Sequence, residues 1–458
     1  MDRRRWLLPA VAAVLVAGCG TQAPVATESV GTTSAPESLA PLPAFEADPA
    51  RIAEHLEALQ AIADDNGGNR FTGTQGYEDS VEWAADALRD LGFEVETSEV
   101  DYTGFSELPG TVLEVGGATF AAPDEVHALL YSASGDVTAR VEVLEGSGCD
   151  EDDFAGVEPG DLALTTQGGC FRRQQAINAA DASAAALIVG YPGRGPGEIY
   201  RPTLIDPDGI DIPVVSVTDD AIRAIEGAGD EPARLTVTTE REPAVLRNVI
   251  AQLGDGPRVV MIGAHLDSVI EGPGINDNGS GVAVMLEIAR GVAQAGLPDG
   301  TALRIGLWGG EELGLIGSRA YVDGLADRPV AYLNIDMAGS PAGSNFVYDE
   351  IAVADGSAAI TQAFVDWLTD RGEVAEPMDL GSGSDHAAFS QAGIPTGGLF
   401  AGATETGGAA QPSASGSGGG PADACYHLAC DDFDNVDSSR VALFADATLA
   451  VALDLLRD

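Results

Sequence analysis

The sequence predicts an α/β protein: a mixed, mostly parallel central sheet flanked by helices, with a β-rich block inserted into it. Three observations carry that prediction. After residue 245, short apolar runs alternate with segments of helical period, a pattern of buried strands and covering helices. Residues 48–104 supply two helical segments and a strand ahead of that alternation. Residues 105–242 break it with short β-like runs, many turn residues, Cys149 and Cys170.

Taken in order, Ile52, Leu56, Leu59 and Ile62 recur at helical spacing from Asp48 onward. A second helix is expected over 76–91, stopped by Gly92, and residues 95–102 alternate as a strand. One helix is expected in the middle block, over 174–185, before the apolar run Leu187-Ile188-Val189-Gly190. Beyond it, strands are expected at 259–264, 303–308, 331–335 and 396–400, and helices at 281–295, 314–322, 358–371 and 436–456. The Gly/Ser tract over 402–420 lies between a buried-type strand and Cys425, and reads as a loop within the domain.

Composition excludes several functions. The 458 residues carry 72 acidic groups against 23 Lys+Arg, for a net charge of −49. Nucleic acid is therefore not an expected partner, because binding phosphates needs a basic patch. Every one of the 23 cations is arginine. Chemistry that depends on a lysine is ruled out.

The amino terminus reads as a targeting segment. Arg3, Arg4 and Arg5 precede a short apolar stretch that ends in Leu15-Val16-Ala17-Gly18-Cys19. Residues 1–18 are expected to be a lipoprotein signal peptide, with Cys19 the lipidated first residue of the mature chain. The Ser/Thr/Pro-rich residues 19–44 form the spacer. The protein is thus expected to be exported, to face the extracytoplasmic side, and to meet the membrane only through its lipid. The remaining Cys149, Cys170, Cys425 and Cys430 allow three pairings, of which Cys149–Cys170 with Cys425–Cys430 is the simplest.

Five segments of the α/β part end in metal-ligand types: His265 with Asp267, Asp277, the Glu311–Glu312 pair, Asp336, and His427 after Cys425-Tyr426. Three of these carriers directly follow apolar strands. Side chains there should converge, since the crevice of an open α/β sheet lies beyond the carboxyl ends of its strands. In a chain with 72 acids a lone carboxylate means little. Histidine is scarcer: of five, His55 is expected on a helix surface and His127 in a loop. Two histidines with three carboxylates suit zinc, and tolerate cobalt or manganese.

The stretches G-A-H-L-D-S-V, G-I-N-D-N-G-S-G, W-G-G-E-E-L-G-L-I-G-S, Y-L-N-I-D-M-A-G-S-P, G-S-D-H-A-A-F, G-I-P-T-G-G-L-F and C-Y-H-L-A-C-D together resemble the secreted di-zinc aminopeptidases of metallopeptidase family twenty-eight. The segment G-G-N-R-F-T-G-T-Q-G-Y at 67–77 is similar to their amino-terminal part, and the block containing C-F-R-R and A-A-A-L-I-V-G resembles a protease-associated domain. The resemblance implies a catalytic domain made of 45–104 and 243–458, with the insert at 105–242. It implies two zinc ions, one held by His265, Asp277 and Asp336, the other by Asp277, Glu312 and His427. Glu311 would be the general base, Tyr426 would stabilise the tetrahedral intermediate, Asp267 would support His265, and Phe400 would stand near the substrate side chain. It further implies a cis peptide after Asp277, and a Cys425–Cys430 bond that stiffens the loop of His427.

The substrates would be peptides with a free amino terminus and a hydrophobic, Leu-like first residue, and the enzyme a monomer. One departure stands out: Gly383 precedes Ser384-Asp385-His386 where close relatives carry a substrate-positioning arginine. His386 itself reads as structural, at a helix start. Rival readings are a related carboxypeptidase, a one-zinc glutaminyl cyclase, or a non-catalytic binding protein.

Overall fold

The computed structural model describes residues 45–457 apart from 167, 350–353 and 406–420. The expected signal peptide, Cys19 and the spacer lie outside the described residues, as does most of the Gly/Ser tract. Among the described residues no helix is long and apolar enough to cross a membrane.

The chain opens with α1 (Pro49–Asp65) and α2 (Gln75–Asp90). Asp48 caps α1 by accepting from Ala50 N at 3.0 Å, with Pro49 as its first residue. Strand β1 (Glu94–Glu107) then pairs antiparallel with β2 (Thr239–Leu253) over their whole length, from Glu94↔Gln252 to Glu107↔Thr239. This ribbon is longer than the expected 95–102, and its second strand is not marked by the sequence pattern. Pro243 and the charged residues 240–242 hide it, because much of the strand is solvent-facing.

The rest alternates strand and helix, with two short strands, β6 and β7, beyond those expected: β3 (Arg258–His265), α3 (Gly281–Ala295), β4 (Thr301–Trp308), α4 (Ile316–Asp323), β5 (Ala331–Asp336), β6 (Phe346–Tyr348), α5 (Ser357–Thr369), β7 (Glu376–Met378), α6 (His386–Gln391), β8 (Thr396–Phe400) and α7 (Ser438–Arg457). The sheet runs β1-β2-β4-β3-β5-β8-β6-β7. Its centre, β4-β3-β5-β8, is parallel, and β1, β2 and the β6–β8 pairing make it mixed.

Alternation along the central strands sends side chains to opposite faces. Val260, Ile262, Leu303, Ile305, Leu333 and Ile335 join the main core with residues of α1, α2, α3, α5 and α7. Met261, Trp308 and Tyr332 face the other way, where Phe389 of α6 stacks on Tyr332 at 3.7 Å.

Between β1 and β2, residues 112–237 build a four-stranded and a five-stranded sheet around their own apolar core. Helices Arg172–Asp181 and Asp219–Ala228 belong to this block. His127 is not in a loop: it lies in the strand Val126–Ala128, is 4% exposed, and sits 3.6 Å from Glu107. Cys149 is bonded to Cys170, and Cys425 to Cys430. The ends of the Gly/Ser tract are tied together, with Ala422 N donating to Glu405 O at 2.7 Å.

Candidate metal centre

The carboxyl ends of the parallel strands carry the site. His265 ends β3 and Asp336 ends β5. Glu311 and Glu312 follow β4 after Gly309-Gly310, where close packing requires glycine: a Cβ on Gly309 would stand 2.0 Å from Tyr77 Oη. Asp277 lies in the turn that enters α3, and the Asp277–Asn278 peptide is cis. His427 comes from far along the chain, on the loop closed by the Cys425–Cys430 bond, with φ at +58°. That left-handed conformation is costly for histidine, and such residues concentrate where function demands them.

These residues meet. His265 Nε2 lies 3.1 Å from Asp277 Oδ1 and 3.4 Å from Asp336 Oδ1. His427 Nε2 lies 3.2 Å from Asp277 Oδ2 and 3.2 Å from Glu312 Oε2. Asp277 therefore offers one oxygen to each half of the cluster. Potential ligand atoms of His265, Asp277 and Asp336 lie within 4.8 Å of one another, and so do those of Asp277, Glu312 and His427. Glu311 joins His265 and Glu312 in a third such group.

The cluster is shaped for cations. Asp336 Oδ1 and Glu312 Oε1 are buried without a hydrogen-bond partner. A buried carboxylate oxygen left so is expensive unless a positive charge faces it. Burial pushes Glu311 well above the usual carboxylate range, opposed by His265 and reinforced by Glu312, Asp385 and Asp336. Glu312 is raised by burial as well, against the pull of His427. Burial opposes the charging of His265 and His427, yet the surrounding carboxylates hold both well above the usual imidazole range. With buried N and O donors in this number, zinc fits the site.

Supporting contacts are dense. Asp267 lies beyond the end of β3, buried; its Oδ1 accepts from Glu311 N at 3.3 Å and its Oδ2 from Thr72 Oγ1 at 3.0 Å. His265 Nδ1 faces the main-chain oxygen of Asp267 at 3.2 Å, nearer than its carboxylate at 3.6 Å. Asp267 thus anchors the Glu311 loop at least as much as the imidazole. Ser384 Oγ donates to Asp336 Oδ2 at 2.7 Å, leaving Oδ1 for His265 and a metal. His386 begins α6, with Nε2 3.1 Å from Gly381 O, and Gly383 is exposed. Tyr426 stacks on His427 at 3.8 Å, and burial with nearby Asp277 and Glu312 keeps its hydroxyl protonated. Phe400 pairs in register with Asp336 and packs with Met337, Phe346 and Tyr348 beside Tyr426.

The sequence pattern assigned no role to several residues that hold this arrangement. Arg70 is fully buried: Nε donates to Pro273 O at 3.0 Å, Nη2 to Gly274 O at 2.7 Å, and Nη1 to Leu266 O. Burial lowers its pKa to about 10, against the attraction of Asp267, Asp431 and Asp277. Asn278 donates to Ile335 O at 2.9 Å and accepts from Met337 N at 3.3 Å, which ties the Asp277 turn to the end of β5. Asp431 accepts from Asp277 N at 3.0 Å and Asn276 N at 2.9 Å. The only advance signal was position: Arg70 lies in the 67–77 segment, and Asp431 follows Cys430.

Comparison with known proteins places the chain in a family. The sequence matches Peptidase family M28 over residues 248–452 and the PA domain over 133–225. An aminopeptidase of Pseudomonas aeruginosa strain UCBPP-PA14 is 36% identical over 425 residues, spanning 86% of this chain and 78% of the relative. The chain belongs to peptidase family M28. A second relative, the "Probable lipoprotein aminopeptidase LpqL" of Mycobacterium tuberculosis, is 38% identical over 420 residues, 85% of this chain and 81% of that one. Among solved structures, a zinc aminopeptidase from Bacillus subtilis superposes with a TM-score of 0.69 at 25% identity, covering 90% of this chain and 96% of that chain. Family membership makes this protein a peptide-bond hydrolase.

Proposed function

We propose that this peptidase is a di-zinc aminopeptidase that removes the N-terminal residue of peptides, with Glu311 as general base. The observation that carries the proposal is the shared Asp277, one oxygen 3.1 Å from His265 and the other 3.2 Å from His427. His265, Asp277 and Asp336 would hold one ion, and Asp277, Glu312 and His427 the other. When bound, the zinc ions supply a Lewis acid for the scissile carbonyl and acidify water.

The chain's own residues do the rest. The Glu311 carboxylate takes the proton of the attacking water and passes it to the leaving amine. Tyr426, its hydroxyl kept protonated by burial, donates toward the oxygen that becomes negative. Carboxylates around the site receive the free α-ammonium, which restricts cleavage to the first residue. The apolar cluster containing Phe400 favours a Leu-like side chain. The PA-type insert is taken to span 105–242. A lipid on Cys19 would hold the exported enzyme at the membrane, in keeping with the lipoprotein relative.

A panel of aminoacyl chromogenic substrates and their N-acetylated counterparts tests this directly. Leucyl substrates should be cleaved, acetylated ones spared, and a chelator should stop turnover until zinc is restored. Cleavage of acetylated substrates, or chelator-resistant turnover, overturns the reading.

A further inference from the structure

Segment 200–205 of the insert reaches the metal cluster and touches three different loops of the site. Tyr200 stands edge-on to Tyr426, with centroids 6.0 Å apart at 61°, and edge-on to His427, at 6.4 Å and 88°. Arg201 Nη2 lies 2.8 Å from Glu271 Oε1, in the loop between His265 and Asp277. Thr203 Oγ1 donates to Leu313 O at 3.2 Å, one residue beyond Glu312. Next to it, a Cβ placed on Gly314 would stand 3.3 Å from Ile205 Cα, so the two backbones are in close contact.

The segment is itself held from behind. Arg194 Nη2 donates to Tyr200 Oη at 2.5 Å, its guanidinium carbon 4.8 Å from the ring centroid, and Tyr191 packs edge-on at 5.6 Å. Arg201 is also 3.7 Å from Glu107 Oε2, at the end of β1, and its side chain is 10% exposed. Loops are the most mobile parts of a fold, whereas metal sites need ligands held to within about 0.5 Å. His427 is the ligand candidate that the insert touches directly. It comes from a loop rather than a strand end, and its ring is gripped by Tyr426 on one face and Tyr200 at the edge.

We propose that segment 200–205 of the insert is a positioning clamp on the metal-bearing loops, and that Tyr200 sets the His427 imidazole and hence the affinity of the Asp277–Glu312–His427 site. The inference rests on the di-zinc reading. The PA-type insert is then part of the catalytic centre's framework rather than a detached accessory.

The test is zinc competition with a chromophoric chelator on the full-length chain, alongside thermal melting. The variants are Tyr200→Ala, Tyr200→Leu and Tyr200→Phe. Loss of the ring should weaken one of the two zinc equivalents about 10- to 100-fold, the range for residues that orient metal ligands. The other equivalent should keep wild-type affinity. Tyr200→Phe, which keeps the ring, should restore both. Tyr200→Leu keeps most of the volume and carries the test should Tyr200→Ala fold poorly. Unchanged affinity in Tyr200→Leu, or equal weakening of both equivalents in step with a lowered Tm, overturns the clamp. Wild-type protein that takes up fewer than two zinc ions instead overturns the di-zinc reading, and the clamp with it.

Discussion

Glu287 on α3 and Glu312 after β4 are both buried, at 0% and 8% exposure, yet burial leaves them in opposite states. Glu287 is fully partnered: Arg290 Nη2 donates at 2.6 Å and Asp48 N at 3.2 Å, with His55 3.9 Å away. Burial alone would raise its pKa, but His55 and Arg290 outweigh that and hold it at about 2. Glu312 has an oxygen without a partner, and burial raises it. The contrast separates architecture from site. An acid whose partners come from the protein is a structural joint, while a group of acids with orphaned oxygens facing imidazoles awaits cations from outside.

The largest effect should come from breaking the site's chemistry without its ligands. Glu311→Gln should lower kcat by at least about 10²-fold, the scale of general-base catalysis, with zinc content unchanged. A variant that keeps wild-type kcat would remove Glu311 from the mechanism.

Arg70 sharpens the contrast, because it is a structural cation placed among functional acids. Arg70→Met strips donors from the carbonyls of Leu266, Pro273 and Gly274. It should cost about 3 kcal/mol in urea unfolding and weaken zinc binding too. Unaltered zinc affinity would make Arg70 a joint of the Glu287 kind.

The disulfides divide along the same line. Cys149–Cys170 closes 21 residues and Cys425–Cys430 only 5, so chain entropy assigns them about 3 and about 2 kcal/mol. Replacing each pair with alanine should invert that order for kcat/KM, since only the shorter loop carries His427. Equal activity in the two variants would refute a role for that loop's stiffness.

The smallest effect belongs to the fully partnered acid. Glu287→Gln should lose about 2 kcal/mol at neutral pH and leave kcat unchanged. Because the folded pKa lies below the ordinary 4.5, the stabilisation is complete above that value and fades as pH falls toward about 2. The wild-type and variant curves should therefore converge in acid. A gap that persists at low pH would mean that packing, not charge, accounts for the loss.

Much of this was legible in the sequence. The strands of the parallel centre are continuous apolar runs because helices cover both their faces, and each was expected within two or three residues of its observed ends. Helix α3 was expected over the residues it occupies. The β2 strand was not, because a half-exposed ribbon needs no apolar run, and β6 and β7 are three residues each. His127 was misplaced because a buried histidine paired with Glu107 looks in sequence like any polar loop residue.

For the site, residue type together with position after strands singled out His265, Glu311, Glu312 and Asp336, while Asp277 and His427 stood out by residue type and by the motifs that carry the family resemblance. The roles of Arg70, Asn278, Ser384 and Asp431 were not legible, since they are hydrogen bonds to residues that are distant in sequence. What the sequence determined by itself was local: strand and helix periods, turn glycines, and ligand types at strand ends. The tertiary structure alone decided which oxygen of Asp277 meets which histidine, which acids keep orphaned atoms, and that Tyr200 of the insert reaches His427. Periodicity records which face of an element is buried, whereas these contacts depend on how separate loops close over one another.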